Sequence, residues 1–145
     1  MTDLFKDCSH SVLLEFVHFM TGKFIGGGMS RQVFEHPTDH TKVIKLEDSQ
    51  KHFQNVLEWE LWNEVKDTPE ISRWLAPCHA ISYSGTFLIM SRAEDLAQGE
   101  KPLLPAFLTD HKIENFGRIK GKIVCRDYGM TLKNISTRMR KWRGS

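Results

Sequence analysis

The chain has little that would hold a small protein together covalently. Its three cysteines, Cys8, Cys78 and Cys125, form no Cys-x-x-Cys pair and leave an odd thiol, which speaks against a disulfide framework. No signal peptide is visible, so a reducing cytosol is the expected setting. Long apolar runs are missing too. The longest, Val12 to Met20, is broken by Glu15 and His18 and falls short of the roughly 20 residues that a membrane helix needs. Seven histidines include no His-x-x-x-His and no paired Cys/His spacing, so a zinc site is not expected. There is no internal repeat and no low-complexity segment, which leaves one continuous fold.

What is present suits a single domain. The 145 residues are 40% hydrophobic and 26% charged, an ordinary balance for a globular chain that buries a core. Net charge is only +2, but it is unevenly placed. Residues 1–109 hold 10 Lys/Arg against 15 Asp/Glu, whereas residues 110–145 hold 10 against 3. An acidic first part joined to a basic last part predicts that the tail meets something anionic. Lys133, Arg138, Arg140, Lys141 and Arg143 surround Trp142, a mixture of cations and an aromatic that nucleic-acid surfaces also use. Docking of the tail on the acidic upper part of the same chain is the preferred reading, ahead of nucleic acid.

Hydrophobic spacing gives the elements. Ser9 caps an expected helix through Val12 to Met20, stopped by Gly22 and buried against the body or a partner. Phe24-Ile25 and residues 32–35 read as strands around Gly26-Gly27-Gly28, and residues 41–46 as a third strand after a turn at Pro37. From Ser49 or Gln50 to Lys66 the pattern is helical, with Phe53, Val56, Leu57, Leu61 and Val65 at three- and four-residue spacing. Residues 79–83 and 86–90 predict a hairpin around Ser84-Gly85. A loop with Gly99, Pro102 and Pro105 follows, then short strands 116–119 and 122–126 turning at Lys120-Gly121. The fold class is therefore α+β with an antiparallel sheet.

The chemistry lies in Asp110-His111-Lys112-Ile113-Glu114-Asn115 and, twelve residues on, Asp127-Tyr128-Gly129. An acid, a lysine and an amide followed by a second acid suit phosphoryl transfer. One carboxylate takes a hydroxyl proton, while the amide and the other carboxylate hold Mg²⁺ against triphosphate oxygens. Gly26 to Gly28 would let backbone N–H groups approach phosphate. Lys45 ends an alternating strand, and its amine needs a carboxylate to hold it over phosphates. Glu58 shares a helix stripe with Leu61, Trp62 and Val65 and so faces the sheet, with Glu60 as second choice.

In that order, Ile25-Gly-Gly-Gly28, Val33-Phe34, Val43-Ile-Lys45, a helical glutamate, residues 87–90, Asp110-x-Lys112-x-x-Asn115 and Asp127-Tyr-Gly129, the chain resembles the protein-kinase-like superfamily over residues 24–129. Gly26 to Lys45, with the His36-Pro37 turn, also resembles early serine/threonine kinases of bacteriophages, whose setting would be the host cytoplasm. The resemblance implies a five-stranded antiparallel N-lobe sheet with one αC-type helix (residues 24–90), an N-terminal helix before it (1–23), a hinge (91–95) and a reduced C-lobe with catalytic loop, β-hairpin and basic tail (96–145). Ile25, Gly26, Gly27, Gly28, Val33 and Val43 would enclose ATP, with Lys45, held by Glu58, on its α- and β-phosphates. Met90 would set the depth of the adenine pocket. The backbone of Ser91, Arg92 and Ala93 would bond the adenine edge, and Glu94 or Asp95 would reach the ribose. Asp110 would be the catalytic base, Lys112 a γ-phosphate contact, and Asn115 and Asp127 the Mg²⁺ ligands.

The departures are specific. Arg31 replaces the third glycine of the usual loop, and either reaches phosphate or faces solvent. Leu108 and Thr109 stand where histidine and arginine usually precede the catalytic acid. Sixteen residues follow Gly129, so the resemblance includes neither an activation segment nor the helical part that binds peptide substrates. The expected function is an ATP- and Mg²⁺-dependent serine/threonine phosphotransferase acting on a protein substrate, on itself, or with a partner that completes the lower lobe. The alternative is a pseudokinase or binding module that captures a host protein.

Overall fold

A computed structural model describes residues 15, 19–28, 30–47, 52–129 and 138–144. The protein is α+β and is built on a five-stranded antiparallel sheet, as the strand spacing predicts. Its strands are β1 (Phe24–Gly27), β2 (Gln32–Glu35), β3 (Lys42–Leu46), β4 (Cys78–Ile81) and β5 (Phe87–Ser91), in the order β1-β2-β3-β5-β4. In β3, Val43 through Leu46 are all buried, so both faces of this central strand are covered and Lys45 lies inside the protein. The β4–β5 turn depends on Gly85, whose φ is +81° and whose Cβ would come within 2.6 Å of Val56 on the adjacent helix.

That helix, α1 (Gln54–Val65), packs against β4 and β5. It starts later than the apolar spacing predicts, because Phe53 is left-handed (φ 52°, ψ 36°); residues 48–51 lie outside the described residues. The first turn is satisfied from a distance. Glu47 Oε2 accepts from the Gln54 N–H and Oε1 from the Asn55 N–H, both at 2.9 Å, which places a carboxylate at the positive end of the helix. The inward residues of α1 are Asn55, Glu58 and Val65, while Phe53 and Leu57 are exposed. The buried face is thus polar in its first turns, because it lies over Lys45 rather than over a purely apolar strand.

Pro69 opens a one-turn helix, α2 (Pro69–Ser72), in the stretch expected only to connect. Beyond the first sheet, β6 (Glu94–Asp95), β8 (Phe116–Ile119) and β9 (Lys122–Cys125) form a three-stranded antiparallel sheet in the order β6-β8-β9. Lys120 (φ 51°) and Gly121 (φ 80°) make its two-residue turn, where primed hairpin turns need positive φ twice. A 3₁₀ turn, Ile113–Asn115, leads into β8. Between them, β7 (Leu104–Pro105) pairs with β10 (Met139–Arg140). Residues 74–76 run beside β9, with Cys125 N–H donating to Trp74 O at 2.7 Å and Ala76 N–H to Cys125 O at 2.9 Å. This joins the sheets around one apolar cluster containing Val43, Leu88, Met90, Leu75, Phe116 and Tyr128.

One expectation is corrected for the described part of the tail. Residues 138–144 do not lie on the acidic upper part: Met139–Arg140 pairs with β7 and Trp142 lies against His111, where the apolar ring finds aromatic partners. Of the expected helix at 9–20, only Glu15, Phe19 and Met20 are among the described residues; all three are helical and exposed, Phe19 at 87%. No helix among the described residues is long and apolar enough to cross a membrane.

Candidate functional site

Lys45 and Glu58 meet as the strand and helix patterns predict. Nζ lies 2.9 Å from Oε1, and both side chains are almost wholly buried. The amine also donates to the backbone oxygen of Arg126, at the end of β9, so β3, α1 and the Asp127 segment converge on it. Burial pulls the Lys45 ammonium down, with Glu58 opposing and nearby Arg31 adding to the effect. Burial also pushes the Glu58 carboxyl up, but the charges of Lys45 and Arg31 outweigh it and hold Glu58 low, at about 2. Glu58 has two cations and a backbone donor on its carboxylate, whereas Lys45 shares that one carboxylate with Arg31.

Arg31 does not face solvent. It is buried, with Nη1 2.6 Å from Glu58 Oε1 and 3.2 Å from Asn55 Oδ1, and Nη2 3.0 Å from Glu58 Oε2 and 2.7 Å from Asp127 Oδ1. Burial works against its charge, and Glu58, first by its charge and then by hydrogen bonding, overcomes that together with Asp127, so the guanidinium stays firmly protonated. Asn55, fully buried, carries Arg31 on one side and donates from Nδ2 to the carbonyls of Lys45, Gly85 and Thr86 on the other. Tyr128 N–H donates to Glu58 Oε2 at 2.7 Å. Sequence reasoning missed the part played by Arg31 and Asn55. A polar residue three positions before Glu58 on the same helix face was the available signal for Asn55.

The Asp110 loop is tied to this network through the backbone. Arg126 N–H donates to Asn115 O at 2.7 Å, and Asn115 Nδ2 donates to Asp110 O at 3.2 Å. Asn115 is buried, while Asp110, Lys112 and Asp127 are exposed. His111, between the acid and the lysine, is buried; its Nε2 lies 2.7 Å from Leu108 O, and Nδ1 accepts from Arg143 N–H at 2.9 Å. Trp142 stacks on His111 (5.0 Å, 15°) and meets Phe116 edge-on (5.5 Å, 71°). A side chain at Gly144 would overlap the His111 carbonyl. The C-terminal segment therefore braces the loop that carries Asp110 and Lys112. Arg138, Met139, Arg140, Lys141 and Arg143 of that segment also line a hollow of about 350 Å³.

The residues expected around a nucleotide fall in two groups. Ile25, Gly26, Gly27 and Gly28 lie along β1 and its turn, which Gly28 N–H closes onto Arg31 O at 2.9 Å. A Cβ at Gly26 or Gly28 would meet nothing, so the protein's own packing does not require glycine there. Val33 is half-buried opposite Lys45; Val43 and Met90 are paired in adjacent strands and buried, as is Ala93. At the end of β5, Ser91 N–H donates to Pro77 O, and just beyond it Arg92 N–H donates to Thr41 O. Among the described residues this leaves the Ala93 N–H, of the three, without a protein acceptor. Asp95 is held by Arg126 at 2.8 Å.

Of the expected Mg²⁺ ligands, Asp127 accepts from Arg31 at Oδ1 and Asn115 donates to Asp110 O; among the described residues no group of three or more His, Cys, Asp or Glu side chains is placed to hold a metal. Cys125, two residues before Asp127, is buried, and burial pushes its thiol up to about 12, so it packs rather than reacts. No family model and no curated protein matches the chain.

Proposed function

We propose that this protein is a compact protein-kinase-like phosphotransferase that binds ATP between the β1–β3 hairpins and the 110–115 loop and passes the γ-phosphoryl group to a serine or threonine hydroxyl. In this reading residues 24–90 form the upper lobe, 91–95 the hinge and 96–145 a reduced lower lobe, and the setting is cytosolic. The observation that carries it is the buried Lys45–Glu58 pair, placed one backbone hydrogen bond from the Asp127 segment. A lysine is costly to bury in a sheet without a task for its charge, and its position suits α- and β-phosphate oxygens.

The roles follow from placement. Asp110, exposed on a loop braced from behind, takes the proton of the acceptor hydroxyl; the hydroxyl oxygen bonds to the γ-phosphorus as the bond to the β–γ bridging oxygen breaks and ADP leaves. Lys112 meets the γ-phosphate, Met90 and Val43 border the adenine, and the Ala93 N–H offers it a donor. Orientation of the acceptor is most of the catalysis in such a transfer, so a partner or a second copy that presents it raises the rate. Incubation with ATP labelled in the γ-phosphate tests this: label passes to the protein itself or to a generic acceptor, and Asp110→Ala and Lys45→Met each lower the rate by about 10²-fold or more. No transfer by the wild type overturns it.

A second reading, a kinase-like binding module without transfer, is favoured by the Arg31 contact on Asp127. It predicts partner capture that survives Asp110→Ala, and a pull-down in which that variant loses its partner counts against it.

A further inference from the structure

Four charges, Lys45, Arg31, Glu58 and Asp127, are joined by contacts of 2.6 to 3.0 Å and sum to zero. A divalent cation brought to Asp127 would enter beside two fixed cations and compete with a guanidinium already 2.7 Å from the carboxylate. A triphosphate brought to the same place meets no net charge from the quartet, but it does not have to displace a cation from the carboxylate. Four N–H groups of Arg31 are committed to Asn55, Glu58 and Asp127, and its Nε–H has no protein partner among the described residues. That donor is available to a ligand oxygen.

We propose that Arg31 is the resident cation of the cleft: it stands on Asp127 where a divalent metal would otherwise stand, so nucleoside triphosphate binds without metal. This rests on the nucleotide reading above and adds what occupies the metal's place. The fixed guanidinium carries no dehydration cost at the moment of binding, unlike an arriving metal ion. The ligand class is therefore a free polyphosphate nucleotide rather than its magnesium complex.

Calorimetric titration of the full chain with ATP, in EDTA and in Mg²⁺, tests it, with Mn²⁺ alone followed by paramagnetic resonance. The wild type is expected to bind ATP in EDTA within about threefold of its affinity in Mg²⁺, and to leave Mn²⁺ free. Arg31→Ala is expected to lose about 10- to 100-fold in EDTA, the worth of a charge-assisted contact, and to regain affinity when Mg²⁺ is added. Arg31→Lys, which keeps the charge, retains binding in EDTA and serves where the alanine variant does not fold, as circular dichroism will report. Wild-type binding only in Mg²⁺ overturns the role of Arg31 while leaving the nucleotide reading intact. Unchanged affinity of Arg31→Ala in EDTA does the same. No binding in either buffer overturns both.

Discussion

Lys45 and Arg31 share one oxygen of Glu58: Nζ lies 2.9 Å and Nη1 2.6 Å from Oε1. One cation from β3 and one from the loop before β2 are thus held to α1 by one carboxylate, and the Tyr128 N–H donates to its other oxygen. The neutral Glu58→Gln side chain leaves Lys45 buried without an anion and Arg31 with Asp127 alone. It is expected to destabilise the fold by about 3–5 kcal/mol, read from urea unfolding. Adding Lys45→Met is expected to cost less than the sum of the two single changes, because one stranded charge is removed. Strict additivity would show that the pair is not coupled.

The same carboxylate sets a pH dependence. Glu58 titrates lower in the folded protein, at about 2, than at its ordinary value of 4.5. Its contribution is therefore fully present above pH 4.5 and is lost as pH falls from there toward 2. Unfolding free energy measured between those limits should decline steeply in the wild type and more shallowly in Glu58→Gln. Equal slopes would contradict the assignment.

Trp142 braces the Asp110 loop from behind. Trp142→Ala removes the stack on His111 and the edge contact to Phe116, at an expected cost of about 1–3 kcal/mol. Amide exchange should quicken in residues 110–115 more than in β3 or α1. A uniform change, or none, would show that the tail merely rests on the surface.

The two described thiols are buried and resist ionisation, Cys78 at about 11 and Cys125 at about 12, each pushed up first by burial. At pH 8 both should resist iodoacetamide in the native protein and react once it is unfolded in guanidinium, as peptide mass mapping will show. Rapid native labelling at either position would mean that the core around Tyr128 opens readily.

The sheet could be read from the sequence wherever the signal was local. Strand spacing around Val33, Val43 and Leu88 and the turns at Gly85 and Gly121 gave five strands and a hairpin in the right order. Glu58 was readable because a helix stripe is periodic. The start of α1 was not, because Phe53 continues the apolar spacing while its backbone has already left the helix, and because the carboxylate that satisfies the first turn comes from Glu47, on another element. Arg31 was illegible for a related reason: nothing beside it in sequence says that a loop cation will fold inward, and its partners lie 24, 27 and 96 residues away. Trp142 likewise meets His111 only through tertiary packing.

Tyr128 lies between Asp127 and Gly129 with its ring buried, its hydroxyl donating to Ala76 O at 2.7 Å and lying 3.2 Å from Cys78 Sγ. Swinging that peptide outward would strand Ala76 and Glu58 without their donors and leave a phenol-sized void, while Gly129 is hemmed in by Gln54 at 3.1 Å. Asp127 is in consequence anchored on both sides of its peptide, and a small molecule that needed a space behind it would have to break this packing first.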